Sequence, residues 1–181
     1  MPTSFEEYLA LEEKAQSRSE FYNGEILPMP SENRRHSLII SNLVRQLGNA
    51  LDRSDNELHA GRLLFRTGRL AAYPDLMILR GQPKFEDERE RVALNPKALI
   101  EVLSPATEIH DRGTKPYEYW QCPSIQQYFL ISQDEPLVNI QTRHASGMLT
   151  TAWVEGREAL CPFESLGTTL PMADIYERIT F

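Results

Sequence analysis

The chain has 181 residues, 41% hydrophobic and 25% charged, which is the balance of an ordinary globular protein with enough length for one real core. Its formal charge of −7 argues against a coat protein for nucleic acid, since phosphate binding rests on lysine and arginine, yet leaves room for an enzyme with a local basic patch. Cys122 and Cys161 stand alone, no apolar run approaches the roughly 20 residues of a membrane span, and acids interrupt MPTSFEEYLALEEK as they do not in a signal peptide, so the expectation is a single cytoplasmic domain over residues 1–181.

Ser4-Phe5-Glu6-Glu7 reads as a capping box that opens a helix to about Gln16. SEFYNGEILPM carries Asn-Gly between strand-like residues, a strong hairpin signal. After Pro30 the residues Leu38/Ile39, Leu43, Leu47 and Leu51 fall on one stripe of a long helix, with His36 near its start. His36 reads either as a surface or capping residue or as a group that touches substrate phosphate.

From Leu58 the period shortens. ELHAGRLLFRTG, AYPDLMILRG and KALIEVLSP read as three strands, the last two apolar enough to be buried on both faces. QPKFEDERERVALNP between the second and third reads as a charged loop. DRGTKPYEYWQC reads as helical, and IQQYFLISQ, PLVNIQTRH and MLTTAWVEG as a meander of strands before a short helix in LPMADIYERI. The sum is a mixed α/β (α+β) domain built around one sheet.

Two acids sit where apolar residues are expected. Glu101 interrupts LIEVLSP, and Asp75 opens the run LMIL after Pro74. Residues two apart in a strand share a face, so Asp75 aligns with Met77 and Leu79, and Glu101 with Leu99 and Leu103. If the strands are neighbours, the two carboxylates converge, and a cation between them relieves their repulsion. Oxygen ligands of this kind suit Mg2+ or Mn2+. Lys115 follows in the next helical segment, within reach of the acids if that helix folds back over the strand ends. There it orients or helps deprotonate a metal-bound water and steadies charge developing on a phosphate. Asp75, Glu101 and Lys115 are together the parts of a metal-dependent phosphodiesterase. Read alone, each has a plainer role: a strand-start acid, half of an internal ion pair, a solvated lysine. Arg62, Arg66, Arg69 and Arg80, with only Asp75 as an acid among them, read either as a positive surface for a phosphodiester backbone or as a solvated strand face. Tyr117, Tyr119 and Trp120 read as packing rather than as a base-stacking strip.

SEFYNGEILPMP followed by His36, then YPDLMIL, EVLSPATEIHDRGTK and SIQQYFLISQDEP, stand in an order and spacing that resembles the Uma-type family of restriction-endonuclease-like proteins in the PD-(D/E)XK nuclease superfamily. The resemblance runs over most of the chain. It implies a restriction-endonuclease-like fold, a central mixed β-sheet flanked by helices, with a divalent metal (Mg2+ or Mn2+) held by Asp75 and Glu101. Glu25 matches the family's Gly-Glu position and enters as a third candidate metal ligand. The superfamily pattern places a lysine two residues after the glutamate, where this chain has Leu103; the family's form moves that lysine to the next helix, onto Lys115. The implied activity is endonucleolytic hydrolysis of DNA by a homodimer. A catalytically silent scaffold of the same fold that binds DNA or protein is the alternative, kept open by Leu103 and Pro116.

Overall fold

The computed structural model describes residues 2–181. Helix α1 (Phe5–Glu12) opens on the expected capping box: the Ser4 hydroxyl accepts from the Glu7 N–H, and the Glu7 carboxylate accepts from the Ser4 N–H. It ends before Gln16, and the Glu12 carboxylate accepts from both the N–H and the hydroxyl of Ser19. Strands β1 (Ser19–Tyr22) and β2 (Glu25–Pro28) form the hairpin. Asn23 at φ 49° and Gly24 at φ 89° supply the left-handed pair that a two-residue turn of this hand requires. Helix α2 (Arg34–Ala50) is capped by Asn33, whose side chain accepts from the His36 N–H at 3.0 Å. Its buried stripe is Ile39, Leu43 and Leu47, continued by Leu51.

Two of the expected strands are each divided. ELHAGRLLFRTG gives β3 (Asn56–Ala60) and β4 (Leu64–Thr67), parted at Gly61, which has φ 53°. AYPDLMILRG gives β5 (Leu70–Ala72) and β6 (Leu76–Arg80), parted at Pro74, which has no N–H to extend a ladder. The charged segment that follows contributes the short β7 (Val92–Ala93). Then come β8 (Ala98–Leu103), α3 (Glu108–Arg112), α4 (Thr114–Tyr119), and the meander β9 (Gln127–Ser132), β10 (Leu137–Arg143) and β11 (Leu149–Glu155). A hairpin that the periodicity did not reveal, β12 (Leu160–Phe163) with β13 (Thr168–Pro171), precedes α5 (Met172–Ile175).

The strand breaks matter because the halves go to different sheets. The larger sheet runs β11-β10-β9-β8-β6-β3, with β8 and β9 parallel and its other neighbours antiparallel; the second runs β2-β1-β5-β4-β7. The single sheet expected from the sequence is therefore corrected to two, plus the β12–β13 hairpin. The fold class stands: mixed sheets flanked by helices.

Alternation along the strands sorts the core into layers. Leu76, Ile78, Ile100 and Val102 point to one face of the larger sheet, against α2, α5 and the late hairpin. Met77, Leu79, Leu99 and Leu103 point to the other, against Phe65 and Leu70 of the second sheet and Tyr119 of α4. Residues of α1 cover the outer side of the second sheet. Glu101, lying between Leu99 and Leu103 in sequence, thus shares the face turned towards the second sheet and α4. No helix among the described residues is long and apolar enough to cross a membrane.

Candidate active site

Strands β6 and β8 are antiparallel neighbours, with Leu76 opposite Ile100 and Met77 opposite Leu99. That register brings Asp75, one residue ahead of β6, beside Glu101. The Asp75 N–H donates to Glu101 Oε2 at 3.3 Å, and the Val102 N–H donates to Asp75 Oδ2 at 2.7 Å. Because β6 begins only at Leu76, Val102 lies beyond the β6–β8 ladder and would otherwise keep a buried N–H without a partner, which the Asp75 carboxylate supplies. The β1–β5 pair repeats the device: the Tyr73 N–H, just past β5, donates to Glu20 Oε1 at 3.2 Å.

Lys115 enters from α4. Its Nζ lies 3.0 Å from Glu101 Oε1, 3.1 Å from Glu20 Oε1 and 3.0 Å from Asp111 Oδ1. The Tyr119 hydroxyl, one helical turn on, donates to the same Glu101 oxygen at 3.0 Å. Gly113 joins α3 to α4 at a point where a Cβ would stand 2.9 Å from the Ile109 carbonyl oxygen, so a larger residue would force the two short helices apart. This tight junction sets Asp111 and Lys115 facing one another. Pro116 falls within the first turn of α4, where its missing N–H costs no helical bond.

All these groups are buried: Glu101 is 3% exposed, Asp111 2% and Lys115 4%. Burial pushes the Glu101 carboxyl well above the usual carboxylate range; Lys115 pulls it back, while Asp111, Asp75 and Glu20 add to the rise. Burial also works against the Lys115 ammonium, but Glu101, Glu20 and Asp111 outweigh it and hold its pKa well above the ordinary lysine value. Tyr119 and Tyr128 are pushed up by burial beside the same acids and stay neutral phenols.

A cleft of about 440 Å³ opens onto this cluster. His36 forms part of its wall, with Nε2 3.3 Å from Asp75 Oδ2 and Nδ1 3.4 Å from Glu32 Oε2. Burial lowers the affinity of His36 for a proton, yet Asp75 and Glu32 reverse that and raise its pKa. Burial and the Lys115 charge lower that of His110, which lies 3.7 Å from Glu20 Oε2.

The structure therefore brings Asp75, Glu101 and Lys115 into one cluster. It does not bring Glu25 there: that residue is exposed on β2 and outside the cleft, and Glu20 on the opposite arm reaches in instead. No local signal separates the two glutamates, because only the docking of β1 onto β5 decides which arm faces the acids. His36 is buried against Asp75 rather than on the surface. Asp111 had a legible signal in its spacing of four residues from Lys115. The arginines expected as a positive surface are largely neutralised: Arg66 pairs with Glu86, Arg69 with Glu118 at 3.2 Å, and Arg80 with Asp55 at 3.1 Å. Arg80 also lies at the far end of β6, roughly 17 Å along the strand from Asp75.

Four buried carboxylates (Glu20, Asp75, Glu101 and Asp111) face one ammonium and two imidazoles, those of His36 and His110. Such an excess of buried negative charge is costly unless protons or a cation offset it. The all-oxygen donor pair of Asp75 and Glu101 fits a hard divalent ion such as Mg2+ or Mn2+.

Two Synechocystis proteins are similar to this chain. One, sll1609, is 34% identical over 129 residues, spanning 70% of this chain and 73% of its own length. The other, slr1290, is 28% identical over 182 residues, spanning 97% and 92%. A crystal structure from Anabaena variabilis, described as a putative nuclease belonging to DUF820, superposes with a TM-score of 0.81 over 99% of this chain and 100% of that one. At 22% identity that likeness speaks to the fold. Residues 5–173, nearly the whole chain and every acid of the buried cluster, match one family model, and the chain belongs to that family: Uma2, described as "Putative restriction endonuclease".

Proposed function

We propose that this protein hydrolyses phosphodiester bonds of DNA with the help of Mg2+ or Mn2+ held by Asp75 and Glu101. The observation that carries the reading is the buried excess of carboxylates at the floor of an open cleft, with a single lysine among them. The family's description supplies the reaction class. A divalent ion at these acids would polarise the phosphate and lower the pKa of a bound water.

The protein's own residues divide the remaining work. Asp75 is oriented by the Val102 N–H, and Glu101 by Tyr119, Lys115 and the Asp75 N–H, so neither carboxylate is free to swing away. Because three carboxylates hold Lys115 in its protonated form, it acts as a donor and a positive charge rather than as a base. Its ammonium steadies the acids and meets negative charge that develops on the phosphate. Glu20 and Asp111 keep the ammonium in place from two further sides.

The test is plasmid nicking by wild type, Asp75→Asn and Glu101→Gln, each with Mg2+, with Mn2+ and with chelator. The expected result is cleavage by wild type that chelator abolishes, and a loss of roughly 10²-fold or more in each variant. Activity equal to wild type in both variants would overturn the assignment of the acids. No cleavage of any DNA with either metal would favour the catalytically silent scaffold.

A further inference from the structure

Beside Asp75 stands a donor set of a different chemical kind. His36 is 5% exposed, and its Nδ1 is buried without a hydrogen bond although Glu32 Oε2 lies 3.4 Å away. Its Nε2 faces Asp75 Oδ2 at 3.3 Å. One ligand atom from each of Glu32, His36 and Asp75 lies within 4.8 Å of the others. Ligand atoms around a shared cation with bonds of ~2.1 Å stand roughly 3–3.4 Å apart, so a movement of up to roughly 1.5–2 Å closes the set. Glu32 is the exposed member, on the loop ahead of the helix, and is free to make that movement. Asp75 is held by the Val102 N–H, and the backbone that carries the buried His36 ring by the Asn33 cap.

We propose that Glu32, His36 and Asp75 form a mixed nitrogen–oxygen site for a first-row transition divalent cation, separate in its donor chemistry from the all-oxygen pair of Asp75 and Glu101. It shares Asp75 with the proposed nuclease site and so deepens that reading. An imidazole donor discriminates against Mg2+, which prefers oxygen and keeps its waters, and in favour of ions such as Mn2+, Fe2+ or Zn2+. The cleft would then accept a transition ion at its His36 wall even where Mg2+ is in excess.

The experiment uses Mn2+ as the probe on metal-stripped full-length protein, in a large excess of Mg2+. Continuous-wave electron paramagnetic resonance reads the affinity, and pulsed resonance reads the nitrogen coupling of a directly bound imidazole. Wild type should bind Mn2+ with a clear nitrogen coupling, His36→Gln should lose the coupling, and Glu32→Gln should weaken binding about 10-fold or more. Glu101→Gln should abolish DNA cleavage while the nitrogen coupling persists, which separates failure of this site from failure of the nuclease reading. Glu32 is exposed, so its variant carries the test if His36→Gln does not fold. Absence of nitrogen coupling in wild type, the result for an imidazolium merely paired with two carboxylates, overturns the proposal. Mn2+ affinity unchanged in Glu32→Gln overturns the three-residue site.

Discussion

Lys115 Nζ stands 3.0 Å from Glu101 Oε1, although one comes from α4, the other from β8, and both are buried. A lysine two residues after Glu101 would lie on the same strand and face; there the chain has Leu103, packed in the core between the two sheets. The helix following the strand supplies the positive charge instead, and the short path through Gly113 makes the return possible.

Replacing Lys115 by Met should therefore leave Glu20, Glu101 and Asp111 buried without their cation. The expected loss at pH 8 is about 3–5 kcal/mol of stability in urea melts. The folded pKa of Lys115 lies above the ordinary 10.5, so its contribution is present in full below that value and is lost only as pH rises through the folded one. Glu101 has the same sign in a lower window: its folded pKa also lies above its ordinary 4.5, so ionising it costs stability as pH rises from there. The deficit of the Met variant should shrink at pH 5.5, where protons replace the missing charge. An equal deficit at both pH values would contradict this account.

Tyr119→Phe removes one donor from Glu101 and little volume. Stability should fall by about 1–3 kcal/mol, the range for a buried hydrogen bond to a charged acceptor. Cleavage should fall with it, because Glu101 gains rotational freedom. Thermal melts alongside nicking assays check both effects, and unchanged values for both would remove Tyr119 from the site.

Saturating Mg2+ should raise the melting temperature of wild type. At 100 times the dissociation constant the gain corresponds to about 2.7 kcal/mol. It should be larger at pH 8 than at pH 5, because the ion needs ionised carboxylates, and it should be absent in Asp75→Asn. Calorimetric scans with and without the ion decide the point.

Gly68→Ala tests the support of α4. Gly68 has φ 53°, and a Cβ there would stand 2.5 Å from Glu118 Oε2, a carboxylate already held by the Arg69 N–H and guanidinium. The substitution should cost about 1–2 kcal/mol through its backbone conformation alone. Crowding Glu118 should also disturb Tyr119 beside it. A melting temperature equal to wild type would show that the contact yields freely.

Much of the local structure was legible along the chain. The Ser4 capping box, the Asn23-Gly24 turn and the Ile39-Leu43-Leu47 stripe depend on residues a few positions apart, and each occurs where the pattern indicated. The anomaly of Glu101 in an apolar strand and of Asp75 at the start of another was equally visible. The partition of the strands was not, because Gly61 and Pro74 break ladders without saying which sheet receives each half. The β12–β13 hairpin also lacked a clear period, with Pro162 and Pro171 within its strands.

By itself, then, the sequence determined the mixed class, the element types and the presence of two carboxylates that an apolar strand does not call for. Only the tertiary structure decided that Glu20 rather than Glu25 meets them, that His36 turns inward, and that Arg66, Arg69 and Arg80 pair with acids. The reason is range: capping, turns and periodicity act over a few residues, whereas a charge cluster depends on distances between segments far apart in the chain. Those distances come into being only when β1 docks on β5, β6 pairs with β8, and α4 folds back over their ends.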